Sequence, residues 1–264
     1  MDEVIIALDG IRKDYDSEIN VGGMILGEEW LAKIKIKKCL IAARLTKKVI
    51  AIAVQEKVKL IITIYPPLFT RGSYYKINKE HLELLKKIIQ NKIAIYSLTK
   101  EWLVTEKGGF DYFLQLLDFE YNSKITCENE PPENKGRLGR RKKKLLLKDM
   151  LELLRQNSDD DIRYLGYSEM PIQEIAVFSE ITDEIDVYWL QNRSEIDLVI
   201  VGDISYEALL VAKLIQLPVV VLGRRNLENV TLGNISRRLM EEITITLPEL
   251  ITVKQDKIGT VLDD

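Results

Sequence analysis

LIITI, residues 60–64, is a continuous, uncharged and largely apolar run. A strand with one wet face alternates polar and apolar side chains, whereas a run that stays apolar suits a strand covered on both faces. Working outward, residues 37–43 (KKCLIAA) and 92–97 (KIAIYS) read as further strands. Two amphipathic stretches separate them: residues 47–56, with Val49, Ile50, Ala53 and Val54 on one face, and residues 79–90 (KEHLELLKKIIQ), with Leu82, Leu85, Ile88 and Ile89 inward. Residues 110–117 read as the next helix. Short β-branched runs that alternate with amphipathic helices indicate an α/β protein.

A second α/β set follows. Residues 148–155 read as a helix, 162–166 and 172–178 as strands, and 185–193 as a helix. Residues 196–201 (IDLVIV) form a buried strand, 206–215 a helix, 218–222 (PVVVL) a strand and 234–242 a final helix. The stretch from Gly202 to Leu222 echoes that from Ile64 to Ser97. The expected fold is therefore α/β, as two similar α/β halves packed together with mixed sheets flanked by helices. Residues 1–125 form the first half, which residues 200–264 return to complete, and residues 126–199 form an inserted or second segment. The joint at 121–144 holds Pro131, Pro132, Gly136 and Gly139 and reads as loop-rich.

At 264 residues, two compact domains are the expectation. A net charge of −3 gives no global drive toward nucleic acid or membrane. Cys39 and Cys127 stand alone, without a C-x-x-C pattern, which points to free thiols in a reduced, cytoplasmic setting. The start of the chain has no basic leader, and no apolar run approaches the roughly 20 residues that span a bilayer. The single histidine, His81, falls on the Lys- and Glu-rich side of its helix and reads as a surface residue.

The sharpest charge feature is residues 135–144 (KGRLGRRKKK), a basic loop in which seven of ten residues are Lys or Arg. Arg137, Arg140, Arg141, Lys142, Lys143 and Lys144 are candidate nucleic-acid contacts by counterion release. A solvated linker explains the run equally well, and no aromatic residues interleave to stack bases.

Several segments, in order, resemble the NIF-three-like family of dinuclear-metal hexameric proteins, often labelled GTP cyclohydrolase I type 2 homologues. Asn20-Val21-Gly22 with Leu26-Gly27 is similar to the family's opening D-N-V-G-L-x-V-G. Residues 38–49 (KCLIAARLTKKV) are similar to K-V-L-V-A-L-D-x-T-x-x-V, with Arg44 at the aspartate, and residues 60–69 (LIITIYPPLF) to L-I-I-S-H-H-P-L-I-F, with Pro66 and Phe69 kept. Gly136-Arg137-Leu138-Gly139 resembles G-R-I-G. Gly202-Asp203 through Glu228 follows a G-[DE] start and a G-H-x-x-[TS]-E end.

The departures fall on the ligands that the resemblance implies. Ile64 and Tyr65 stand at the paired histidines, Thr99 and Leu103 at the H-T-x-x-D histidine and carboxylate, and Arg224 at the C-terminal histidine; only Glu228 is retained. The family's glycine-rich turn reads instead as residues 178–183 (FSEITD). Isoleucine, leucine and a guanidinium offer no lone pair to a metal, and Arg224 is expected to neutralise Glu228 as an ion pair or to stand as a solvated charge. No catalytic residue, metal or cofactor is therefore expected. A small-ligand cleft, if one exists, is expected at Tyr65, Lys100, Asp203, Arg224 and Glu228, near the carboxyl ends of strands. The leading reading is a non-catalytic, ring-like homo-oligomeric binding or scaffold protein with protein partners and no membrane. The alternatives are a metal-dependent hydrolase acting on a nucleotide or related small substrate, and a nucleic-acid-associated factor that uses the basic loop.

Overall fold

The computed structural model describes residues 3–13, 22–31, 34–67, 79–126, 134–156, 158, 162–191, 195–244 and 247–256. The side chains of residues 13, 122, 124, 126, 134, 135 and 185 are outside that description. So are Asn20, Val21, Phe69, Cys127, Pro131 and Pro132, named above. Cys39 is buried. No helix among the described residues is long and apolar enough to cross a membrane.

The chain divides into two compact units, Met1–Thr105 with Leu232–Gln255, and Glu106–Thr231 with Asp256–Asp264. The first contains α1 (Glu3–Lys13), β1 (Gly23–Leu26), the short α2 (Glu28–Leu31), β2 (Lys38–Ala42), α3 (Lys47–Gln55), β3 (Leu60–Thr63), α4 (Lys79–Gln90), β4 (Ala94–Ser97) and the short α5 (Glu101–Val104). The second contains α6 (Gly109–Leu116), β5 (Glu120–Thr126), β6 (Asn134–Leu146), α7 (Leu147–Gln156), β7 (Arg163–Leu165), β8 (Pro171–Ile181), α8 (Glu184–Gln191), β9 (Leu198–Ile204), α9 (Tyr206–Leu214) and β10 (Val219–Val221). α10 (Arg224–Glu242) begins in the second unit and leads to the first unit's last strand, β11 (Glu249–Val253).

Each unit is a mixed sheet with helices. In the first the order is β1-β4-β3-β2-β11, parallel except for β1. In the second it is β5-β6-β8-β9-β10-β7, where β8, β9 and β10 are parallel and the rest antiparallel. The two halves share a plan: β2-α3-β3-α4-β4 matches β8-α8-β9-α9-β10, and antiparallel β1 and β7 flank corresponding strands. All four residues of β3 are buried, as a strand covered on both faces requires.

The junctions repeat as well. α3, α4, α6 and α9 end on Lys57, Lys92, Asp118 and Gln216, all at positive φ. The next amide bonds back five residues in each case: Val58 to Ala53, Ile93 to Ile88, Phe119 to Leu114 and Leu217 to Ala212, at 2.8–3.0 Å. This left-handed cap satisfies orphan helix carbonyls and plants a buried apolar residue at the start of the following strand. It is usually a glycine's role. Here non-glycine residues fill it four times.

Several expectations are corrected. The units divide at Thr105 and Thr231 rather than near 125 and 199, because β9 is hydrogen-bonded between β8 and β10 and so holds residues 200–231 in the second unit. The basic loop at 135–144 is part of β6, a strand between β5 and β8. Residues 179–181 continue β8 instead of turning. α10 begins at Arg224, ten residues before the expected start. On α4, Leu82 and Ile89 are exposed while Leu84 and Ile88 pack inward, and His81 is half-buried.

The first unit also holds a polar pair, a buried tyrosine against a half-buried aspartate. Tyr96 on β4 donates its hydroxyl to Asp9 on α1 at 2.7 Å. Burial, and then the Asp9 carboxylate, push the phenol's pKa well above 10. A raised native pKa means that the protonated form's stabilisation is intact below pH 10 and is lost as pH rises beyond it. Tyr96→Phe is expected to cost about 1–2 kcal/mol at neutral pH. The gap to the parent should narrow by about 1.4 kcal/mol per unit above pH 10, read from urea unfolding across pH. A gap constant to pH 11.5 would contradict this account.

Candidate functional site

Parallel sheets present backbone and side chains for ligands at their carboxyl ends. In the first unit the last registered triple is Ala42, Thr63 and Ser97 on β2, β3 and β4. The ladder runs on: Tyr65 N donates to Ala43 O at 3.1 Å and Leu98 N to Thr63 O at 2.8 Å. Arg44, Tyr65 and Thr99 each lie two residues beyond that triple, so the topology gathers them at one sheet end. The Arg44 guanidinium sits 3.9 Å from the centroid of the Tyr65 ring, a cation–π stack. Ile64, Leu103, Tyr65 and Thr99 are all buried. Thr99 has φ +72°, unusual for a β-branched residue. The equivalent place after β10 is Gly223, also at positive φ. Lys100, the next residue, is exposed.

The second unit shows the same plan with other side chains. Glu180 on β8 and Asp203 on β9 are registered neighbours. Two adjacent carboxylates repel, and the Arg224 guanidinium at the start of α10 answers both: it pairs with Glu180, and its Nη2 lies 3.9 Å from Asp203 Oδ2. An arginine at a helix N-terminus opposes the helix dipole, and these carboxylates offset that cost. The expected ion pair to Glu228 is thereby corrected. Among the described residues the partners of Arg224 are Glu180 and Asp203, while Glu228 is buried in α10. Asn226, in the first turn of α10, donates to Leu222 O at 2.9 Å and to Ser158 Oγ at 2.8 Å, which ties the turn down.

Of the cleft residues expected from sequence, Asp203 and Arg224 come together. Tyr65 and Lys100 belong to the first unit, and Asp203, Arg224 and Glu228 to the second. Sequence reading passed over Arg44 and Glu180 as partners. Their signal was position, since each follows or ends a parallel strand that opens a crossover. Among the described residues no three His, Cys, Asp or Glu side chains converge as a metal site requires.

The basic run meets acids. Arg137 pairs with Asp111 at 3.1 Å, Arg140 with Glu174 at 3.4 Å, Arg141 with Asp118 at 2.9 Å and Lys142 with Glu120 at 3.1 Å. Lys143 and Lys144 are exposed. They lie where residues 141–144 of β6 stand against Gln173 alone on β8, between the pairs Arg140–Glu174 and Leu145–Ile172. The Asp197 carboxylate accepts from the amides of Gln173 and Glu174 there, at 2.8 and 2.9 Å.

Twin α/β units, each a mixed sheet with helices, define the fold class, and comparison with known proteins shows the family. The model of the family described as Duf34/NIF3 (NGG1p interacting factor 3) matches residues 10–257. The chain belongs to that family. Its relatives include a Clostridium perfringens protein named GTP cyclohydrolase 1 type 2 homolog, 25% identical over 256 residues, which are 96% of this chain and 93% of that protein. A Clostridium acetobutylicum protein of the same name is 25% identical over 199 residues, 74% of this chain and 71% of that protein. Among solved structures, a Staphylococcus aureus hypothetical protein matches with TM-score 0.78 at 16% identity, over 98% of each chain. A Bacillus cereus protein related to NIF3 matches with TM-score 0.77 at 15% identity, over 99% of this chain and 98% of that one.

Proposed function

We propose that this chain is a non-catalytic member of the family: a cytoplasmic, ring-like homo-oligomer, hexameric by family resemblance, that binds or scaffolds other proteins. The observation that carries the reading is the chemistry at the positions matched to metal ligands. Ile64 and Leu103 have no donor atoms, Thr99 and Tyr65 are neutral hydroxyls, and Arg224 is a permanent cation already held by Glu180 and Asp203. These residues do not fit a pair of divalent cations, which need several anionic or imidazole ligands. Arg44 stacked on Tyr65 and Arg224 between two carboxylates put a fixed positive charge at the sheet end of each unit.

A metal-dependent hydrolase acting on a nucleotide or related small substrate would need the missing donors, so the cyclohydrolase in the relatives' name is not carried over. A nucleic-acid-associated factor would use Arg137, Arg140, Arg141 and Lys142–Lys144. Four of those six side chains already hold carboxylates, which weakens that reading. Elemental mass spectrometry of purified protein, alongside its native mass, tests the proposal. Metal well below one per chain with a multimeric mass is expected; about two tightly held metals per chain would overturn it.

A further inference from the structure

α9 turns two alanines inward. Ala208 and Ala212 are fully buried in the second unit's core, between β9 and β10 in sequence. Its outer face is where an amphipathic helix should be polar, yet it carries Tyr206, Leu210 and Leu214, 70%, 47% and 76% exposed. They recur every four residues and so form one stripe. Single exposed leucines are ordinary, but a continuous stripe of the helix's largest side chains is not. α8 lies beside α9 and adds Tyr188, 45% exposed. The charged residues on the same face are Glu207 and Lys213, both exposed.

Their positions are symmetric. Glu207 comes three residues before Leu210 and Lys213 three after; Tyr206 comes four before and Leu214 four after. We propose that the α9 outer face, centred on Leu210 with Glu207 and Lys213 on either side, is an interface to a second copy of this chain, packed antiparallel across a two-fold axis. That arrangement sets Glu207 against Lys213 of the second copy, twice, and Tyr206 against Leu214, twice. A parallel arrangement would oppose like charges, so the charges select the orientation. Self-complementarity of this kind is what a two-fold contact requires. Glu207 in the first turn and Lys213 in the last also suit the helix dipole, but the dipole explains neither the tyrosine nor the leucines. Nine residues of helix span only about 13 Å. With a helix about 10 Å wide, that strip is on the order of 130 Å², far below the roughly 800 Å² per partner of a stable interface, so α8 with Tyr188 must extend the contact.

This inference rests on the homo-oligomeric part of the proposed function, and the test separates the two. Sedimentation velocity of the full chain over a concentration series compares the parent, Glu207→Lys, Lys213→Glu and the double exchange. Each single reversal should weaken self-association at least about tenfold, and the double exchange should restore it. Thermal unfolding reports whether the exposed substitutions leave the fold intact. Single variants that keep the parent's multimeric mass and affinity would overturn the α9 interface and leave the oligomeric reading standing, whereas a fall to a smaller multimer is what its loss within a larger ring predicts. A monomeric parent would overturn both. Loss in the singles without recovery in a folded double variant would mean that α9 meets a different surface, and the two-fold pairing would fall.

Discussion

Arg137→Met is expected to destabilise the second unit by about 3–5 kcal/mol, the largest effect of any single substitution considered for this chain. Arg137 is fully buried on β6. Its Nε lies 3.1 Å from Asp111 Oδ1, its Nη1 donates to the Tyr121 hydroxyl at 3.3 Å, and its guanidinium lies 4.8 Å from the centre of that ring. Among the described residues Nη2 has no hydrogen-bond partner, so desolvation of the cation is incompletely repaid. The pair is therefore a poor source of net stability, and its removal one partner at a time is the damaging event. Methionine nearly fills the volume but leaves the buried Asp111 carboxylate without its cation. The remedy follows from the same argument: Asp111→Asn removes the charge and can still accept from the Lys107 amide, now bonded to Asp111 Oδ2 at 2.7 Å. The double variant should recover most of the loss, as read by urea unfolding with a probe in each unit, since two units need not unfold together. A single variant as stable as the parent would contradict the account, and so would a double variant no better than the single.

Arg137 also marks where sequence reading failed. Residues 135–144 looked like a solvated loop because charge swamped any alternation and two glycines suggested turns. The residues that make it a strand are remote: Asp118 and Glu120 precede the run by 17 and 15 positions, and Glu174 follows it by 30. Both glycines sit at close approaches instead, Gly136 against backbone and Gly139 against a side chain. A Cβ on Gly136 would stand 2.6 Å from Val177 O, and one on Gly139 would meet the Leu114 side chain at 2.5 Å.

The parallel strands were legible because burial on both faces leaves an apolar run, as in 60–64 and 196–201. The helix between residues 79 and 90 was legible in its bounds, but its buried face was read one step out of phase, with Leu82 and Ile89 assigned inward. Helix ends carried no stop signal, since Lys57, Lys92, Asp118 and Gln216 fill a place that glycine usually announces. The early start of α10 was hidden for an electrostatic reason: Arg224 and Arg225 are poor first-turn residues until Glu180 and Asp203 stand beside them. At the sheet ends, motif spacing drew attention to Arg44, Tyr65, Thr99 and Arg224. The partners, Tyr65 for Arg44 and Glu180 for Arg224, depend on strand register, which sequence alone does not supply.

Register also makes Gly202 the position on which the second sheet end turns. Gly202→Ala should cost about 2–3 kcal/mol, although it adds one methyl group in a strand. The new Cβ would stand 2.5 Å from Ser179 O and 3.1 Å from Arg224 Cα. Both neighbours are backbone, so no side chain can swing aside, and β8 or the start of α10 must shift. Either movement pulls at the contact between Glu180 and Arg224. Loss of that ion pair alone is a much smaller event: its side chains are more than a third exposed, and such pairs contribute about 0–1 kcal/mol. Arg224→Ala and Gly202→Ala therefore form an ordered comparison by urea unfolding. If the geometry is set by backbone approach, Gly202→Ala is clearly the weaker fold and Arg224→Ala stays within about 1 kcal/mol of the parent. If the reverse order is found, the sheet end is held by the guanidinium and its two carboxylates, and the close packing of β8, β9 and α10 follows from the charges instead of permitting them.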